Sequence, residues 1–414
     1  MTNEVKNVPE LRFSDFSEEW KSEKLGNISD RVKRKNQNLE SKMPLTISGN
    51  LGLVDQVTYF SKSVSAKNLE NYTLIKKGEF AYNKSYSNGY PLGAIKRLEK
   101  YDKGVLSTLY ICFRFNENQN TEYMKQYFET SKWHKEVSAI AVEGARNHGL
   151  LNISVNEFFT VLLSIPSLNE QNKIGEFFNK LDRQIELEEQ KLSLLEEQKK
   201  GYMQKLFSQE LRFKDENGDD YPEWMETNIR NTFDNKGGTA LEKEFDNNGT
   251  HKVISIGSYS MNSTYNEQNL RINKNEFTEK YLLNEGDLAM VLNDKTKEGN
   301  IIGKSIYIDE DDKYIYNQRT ERLIPVTGNN HKFLWYLMNS EQFRKKIKQM
   351  MQGATQVYIN YNSIKDLSIY LPILEEQNKI ENFLGDIFNI IKNQSDKVEL
   401  LKRRKKGFLQ KMFV

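Results

Sequence analysis

Five short polar stretches of this chain are made of the side-chain types that reading base edges requires. In the first half they are Asn83-Lys84-Ser85-Tyr86-Ser87-Asn88-Gly89-Tyr90 and Arg146-Asn147-His148. In the second they are Asn293-Asp294-Lys295-Thr296-Lys297, the run from Asn317 through Gln318, Arg319, Thr320 and Glu321 to Arg322, and Gln352-Gly353-Ala354-Thr355-Gln356. Arginine and lysine fork onto guanine, asparagine and glutamine onto adenine, while serine, threonine, tyrosine and lysine hold phosphates. The candidate DNA-binding residues are therefore Lys84, Tyr86, Asn88, Arg146, Asn147, Lys295, Lys297, Arg319, Arg322, Gln352 and Gln356. Of these, Lys84, Tyr86, Arg146, Arg319, Arg322 and Gln356 are the favoured base readers.

Other chemistry finds little support. Glu189-Gln190-Lys191 has the acid-x-lysine spacing of a nuclease tail, but it falls inside a predicted long helix with no strand before it, which reads as a solvated helix face. A Walker loop, a GxGxxG turn, an HExxH pair and an NPPY-type tetrapeptide are all missing. The four histidines, His134, His148, His251 and His331, are scattered and Cys112 stands alone, so no zinc set forms and no intrachain disulfide is possible. The expectation is a binder without a cofactor or metal of its own.

Composition bounds the setting. At 37% hydrophobic and 29% charged residues the chain is polar for a globular protein, as expected of much solvated helix and partner-facing surface. Neither a signal-like apolar run near the start nor a stretch approaching the ~20 apolar residues of a membrane span occurs. A cytoplasmic location is expected.

The elements that hold the polar stretches occur twice. Pro166, Glu170-Gln171-Asn172-Lys173-Ile174, Phe177, Ile185, Leu194-Leu195, Lys199-Lys200-Gly201, Gln204-Lys205 and Phe207 return as Pro372, Glu376-Gln377-Asn378-Lys379-Ile380, Phe383, Ile391, Leu400-Leu401, Lys405-Lys406-Gly407, Gln410-Lys411 and Phe413, 206 positions on and without a gap. Leu11-Arg12-Phe13 with Trp20 is echoed by Leu211-Arg212-Phe213 with Trp224, and Gly144-Ala145 by Gly353-Ala354. The ends of the two units agree better than the middles. A chain carrying one unit twice imitates a dimer. The domains expected are 9–166 and 211–372, each followed by a long helix, 167–208 and 373–414.

Within the middles, β-rich runs at 105–115, 158–165, 252–256 and 301–308 alternate with turns, and helical stretches at 122–137 and 331–351 precede the Gly-Ala turns. The fold class predicted is α+β, two mixed α/β domains joined by two antiparallel coiled-coil helices about an internal pseudo-two-fold.

The seam of the helix pair is legible as alternating steps of four and three: Leu181, Ile185, Glu188, Leu192, Leu195, Lys199, Tyr202 and Leu206, repeated as Ile387, Ile391, Gln394, Val398, Leu401, Lys405, Phe408 and Met412. An antiparallel pair would put the globular domains at opposite ends of a rod of roughly 48 Å at 1.5 Å per residue. Full overlap sets Glu188 against Val398 and Lys199 against Ile387. Sliding by one heptad sets Glu188 against Lys405 and Lys199 against Gln394. Because an unpaired charge in a seam is costly and a polar layer is a known register device, the slipped arrangement is predicted.

The doubled order of Leu-Arg-Phe and Trp, a divergent domain, a Gly-Ala turn, Pro-x-Leu-x-Glu-Gln-Asn-Lys-Ile, and a long helix ending in Lys-Lys-Gly and Gln-Lys resembles the specificity subunits of type I restriction-modification systems. The resemblance covers nearly the whole chain. It implies a non-catalytic subunit whose two target-recognition domains each read half of a bipartite double-stranded DNA site, with the helices setting the gap. It further implies two modification subunits carrying S-adenosylmethionine and methylating adenine, and optionally two restriction subunits using ATP and Mg. An autonomous DNA-modifying enzyme and a coiled-coil scaffold without sequence reading stay open as alternatives.

Overall fold

The computed structural model describes residues 7–60, 68–87, 89–143 and 151–414. Its contacts divide the chain into two units, Met1–Glu189 with Asp396–Val414, and Gln190–Ser395. Each unit therefore combines one globular domain with the start of the helix that follows it and the end of the other long helix.

The first unit is built on an antiparallel sheet in the order Ser29–Arg31, Ile111–Phe115, Phe80–Asn83, Ala94–Arg97. Alternation along the central strand buries both of its faces. Phe80 and Tyr82 enter an aromatic core with Phe113, Tyr127, Phe158 and Trp20, while Ala81 and Cys112 enter a smaller cluster around Leu45 and Leu106. Burial drives the Cys112 thiol up to about 12, which leaves it unreactive at neutral pH.

The second unit repeats this plan. Its sheet runs Phe233–Gly237, Thr320–Pro325, Leu288–Val291, Ser305–Tyr307. Leu288 and Met290 face one core, Ala289 and Val291 the other. In both units a strand pair ties the start of the domain to the segment just before the long helix: Lys21–Lys24 with Leu162–Ile165, and Met225–Asn228 with Leu371 back to Ser368. Two mixed α/β domains in an internal repeat are thus present.

Several local expectations need correction. The run at 105–115 is two strands, Lys103–Leu106 and Ile111–Phe115, separated by a turn. In the run at 158–165 only Leu162–Ile165 is strand, because Ser154 and Glu157 form a capping box that starts a short helix ending at Phe158. The stretch at 331–351 is two helices, His331–Met338 and Glu341–Gln349, since the Ser340 hydroxyl accepts from the Phe343 amide and starts a second helix. The stretch at 122–137 likewise divides into Thr121–Phe128 and His134–Ile140.

The repeated Glu-Gln-Asn-Lys motif is a clasp that seats each long helix on its domain. In the first unit Arg12 forks onto the buried Glu170 at 2.7 and 2.8 Å; in the second Arg212 forks onto the buried Glu376 at 3.2 and 2.8 Å. Gln171 donates to the Pro166 carbonyl and accepts from the Asn120 amide, as Gln377 does with Pro372 and Asn330. Asn120 and Asn330 cap the helices that follow them and donate to Asn172 and Asn378 at 2.7 and 2.8 Å. Each of these bonds has its counterpart in the other unit, which is why these residues recur together.

The long helices span Leu168–Phe207 and Leu374–Lys411. In the first unit Phe177 meets Phe408 edge-on at 5.0 Å, and Asp182 and Glu188 pair with Lys405 and Lys397. One sequence rises as the other falls, so the segments are antiparallel. In the second unit Tyr202 meets Phe383 at 5.1 Å and Lys199 lies 3.8 Å over the Phe388 ring, again antiparallel.

These partners belong to full overlap, and the predicted Glu188 to Lys405 layer is overturned. Glu188 reaches Lys397, next to Val398, and Lys405 reaches Asp182. The long side chains find partners one position off the seam, so no charge is left facing only aliphatic groups and the slip has nothing to gain. The seam itself is seen in the burial pattern. Ile185, Leu206, Gln394, Val398, Leu401 and Met412 are buried, and Leu181, Glu188, Leu192, Leu195, Lys199, Ile387, Ile391, Lys405 and Phe408 half-buried; Tyr202 alone is exposed.

Candidate nucleic-acid interface

Three of the polar stretches meet in the second unit, although 54 residues lie between the first of them and the last. Val291 pairs with Thr320, and the ladder continues as the Leu292 amide donates to the Arg319 carbonyl at 2.9 Å. The Ile359 amide donates to the Leu292 carbonyl, and Asn293–Asp294 pairs with Val357–Tyr358. Strand pairing therefore carries Arg319, the loop with Lys295 and Lys297, and the turn with Gln352 and Gln356 to one edge of the domain. All five are exposed.

The loops are held from beneath. Asp294 accepts from the Ile301 amide at 2.8 Å, the Thr296 amide at 2.9 Å and the Thr296 hydroxyl at 3.0 Å. Burial pushes its carboxyl up, but these bonds outweigh burial and hold it below the usual carboxylate range. The buried Arg344 donates to the Asn300 carbonyl at 3.0 Å, and desolvation pulls its guanidinium down to about 10 against the opposing pull of Asp294. At Gly353, φ is +104° and a Cβ would stand 2.1 Å from the Gln356 carbonyl oxygen, so only glycine makes this turn. Arg319, at the end of the ladder, also takes a left-handed φ of 69°.

Other residues of the same stretches are structural. Arg322, expected to read bases, lies on the strand with its side chain inside the domain. It pairs with the buried Asp287 at 2.7 Å and donates to the Leu282 carbonyl at 3.1 Å. Asn317 and Gln318 both donate to Glu242, and Glu321 accepts from Asn235 at 2.6 Å. Only Arg319 of that stretch is left for a ligand. Tyr358, which sequence reasoning did not single out, is exposed beside Gln352 and Gln356; its alternation with buried Val357 and Ile359 was the available signal.

In the first unit, Lys84 is half-buried and its ammonium donates to the Ile153 carbonyl at 3.0 Å, a bracing bond. Tyr86 is exposed, just before Ser87, which bridges Tyr90. Asn88, Arg146, Asn147 and His148 lie outside the described residues. Val142–Glu143 and Leu151–Asn152, which pair antiparallel, flank the stretch holding the last three, and the Leu151 amide donates to the Lys84 carbonyl. The backbone thus brings the flanks of two first-half stretches together.

Among the described residues no group of three or more His, Cys, Asp or Glu is placed to hold a metal ion, and no helix is long and apolar enough to cross a membrane.

The molecule is thus a doubled α/β scaffold whose domains expose polar loops at the ends of strands and clasp long helices. Residues 17–197 and 221–402 match the family described as Type I restriction modification DNA specificity domain. The chain belongs to that family. It is 28% identical over 272 residues to the type I restriction enzyme MjaVIII specificity subunit of Methanocaldococcus jannaschii, an alignment covering 63% of each chain. To the putative MjaX specificity subunit of the same organism it is 35% identical over 82 residues, 20% of this chain and 19% of that one. The chain therefore aligns with less than two thirds of the length of these relatives. Among solved structures, the type I restriction-modification S subunit from M. genitalium superposes with a TM-score of 0.57 at 12% identity, covering 98% of this chain and 99% of that one. A chain from a structure of complex assembly and conformational transition of the type I R-M system gives 0.56 at 18% identity, covering 95% and 97%. At these identities the likeness is one of fold.

Proposed function

We propose that this chain is the non-catalytic, sequence-reading subunit of a type I restriction-modification complex. The observation that carries the reading is the convergence of exposed Arg319, Lys295, Lys297, Gln352 and Gln356 at one domain edge of a chain that matches the family's domain twice. Residues 9–166 read one half of a bipartite duplex site and 211–372 the other. The helices at 167–208 and 373–414 set the unread gap and dock two modification subunits. Those subunits carry S-adenosylmethionine and methylate adenine; two restriction subunits, where present, use ATP and Mg. This chain binds none of these cofactors itself and works in the cytoplasm.

The test is an exchange of residues 20–165 for the matching region of a homologue, followed by mapping methylated sites with the modification subunit co-expressed. One half-site should change and the other persist. A change in both, or in neither, refutes the two-reader assignment, and methylation by this chain alone would make it an enzyme.

A further inference from the structure

Pairing registers make the two units comparable residue by residue. Arg97 pairs with Phe80 as Tyr307 pairs with Leu288, and the capping residues Asn120 and Asn330 start matching helices. Lys125, Gln126 and Asp182 of the first unit therefore correspond to Trp335, Tyr336 and Phe388 of the second.

In the first unit this place is filled by charges that satisfy one another. Arg97 bonds Glu99 and Glu122 at 2.7 and 2.6 Å, and Lys125 lies 3.0 Å from Glu99 and 3.6 Å from Asp182. Gln126 and Lys405 complete the coordination of Asp182 at 2.9 and 2.7 Å. No charge is left over.

The second unit has an open cleft of about 410 Å³ there, walled by aromatic rings. The Trp335 ring centre lies 4.8 Å from Tyr336, 5.4 Å from Phe388 and 6.4 Å from Tyr307. Asp309, Glu381 and Asp386 line the same cleft, against a single lining cation, Lys332. Lys332 lies 3.9 Å from Glu381, Lys313 lies 3.5 Å from Asp309, and Asp386 has no ion pair among the described residues. Burial, and then the charges of Glu285, Glu381 and Asp309, push the Tyr307 phenol upward, while Lys332 lies 5.8 Å over the Tyr307 ring. The rings of the cleft already attract cations, as Lys199 over Phe388 shows.

We propose that this cleft of the second unit receives an arginine side chain presented by a partner protein. Its acidic lining repels nucleic acid, and a planar guanidinium can both stack on the rings and fork onto a carboxylate. The proposal rests on reading the chain as a subunit of a larger assembly. It also implies asymmetry, because the matching position of the first unit is already neutralised from within.

Trp335 is the only half-exposed tryptophan, Trp20, Trp133 and Trp224 being buried, so its emission reports on the cleft. The full chain is titrated with a blocked Gly-Arg-Arg-Gly peptide, with its Gln-Gln analogue and with spermidine, by fluorescence and by calorimetry. A saturable emission change is expected with the arginine peptide alone, lost in Trp335→Phe, with affinity about tenfold lower in Asp386→Asn. Asp386 is exposed and its replacement leaves the core intact. The absence of saturable binding, an unchanged affinity in Asp386→Asn, or spermidine binding as tightly as the peptide would overturn the proposal. No DNA enters this measurement, so its failure leaves the DNA-reading assignment standing, and the domain exchange tests that assignment independently.

Discussion

The clasp and the cleft lie on the same elements, yet one is the same in both units and the other is reversed in chemistry. Arg12 on Glu170 and Arg212 on Glu376 make the same pair of bonds. A few turns along the helix, Asp182 sits among Lys125, Gln126 and Lys405, whereas Phe388 sits among Trp335, Tyr336 and Lys199. Fixing the start of a helix on a domain allows few solutions, because a buried carboxylate needs its partner in one geometry. Filling a groove beside that helix allows many. The units therefore agree where the helix is held and differ where a surface is offered.

The hardest blow to the shared part is Arg12→Ala or Arg212→Ala, each of which strands a buried glutamate and should cost its own unit about 3–5 kcal/mol in urea unfolding. Arg212→Ala should be the milder by about 1 kcal/mol, because the Trp224 indole also donates to Glu376 at 3.2 Å while that of Trp20 finds no acceptor among the described residues. Equal losses would mean that the indole bond contributes nothing.

Next in size is the separation of readers from supports in the second domain. Arg319→Ala should cost about 1–3 kcal/mol of duplex binding and relax one base position, while Lys295→Ala weakens all sequences alike and lowers the salt slope by about one. Arg322→Ala should instead destabilise the unit by leaving Asp287 buried without its cation, with the site preference unchanged. A relaxed base position in Arg322→Ala would return that residue to the interface.

Smaller again is Glu188→Ala. Its partner Lys397 is half-exposed, so the loss should stay under about 1 kcal/mol and the tolerated gap between half-sites should not move. A shifted gap, read by methylation of sites with altered spacers, would restore the slipped register.

The smallest effect is the opposite pH dependence that one buried group in each unit contributes between pH 8 and 9.5. Burial, with the charges of Arg344, Lys199 and Lys348, lowers the Lys304 ammonium to about 8, below its ordinary value. Over this range the unfolded lysine holds a proton that the folded one has lost, so the contribution of Lys304 to the second unit rises with pH, against the opposite contribution of tyrosines raised by burial such as Tyr265 and Tyr307. Ala94 stands at the matching position of the first unit, where Cys112 is raised to about 12 by burial. There the unfolded thiol loses its proton first and stability falls. Each change should be under about 1 kcal/mol in urea midpoints and should vanish in Lys304→Met and Cys112→Ala respectively.

The amino-acid sequence alone determined the doubling, the extent of the long helices and the seam, because identical residues at a constant spacing and apolar residues at steps of four and three need no tertiary knowledge to be seen. It also singled out the polar stretches. Which of their members are free was decided by strand pairing: Arg319 points out and Arg322 points in, three residues apart on one ladder, and nothing local separates them. The helix register was likewise a tertiary matter, since Lys405 and Glu188 reach neighbours off the seam that a one-dimensional matching of layers does not count. The aromatic cleft joins loop 263–265, the segment 306–314, a short helix and a long helix, and its charge balance exists only once those four are packed together.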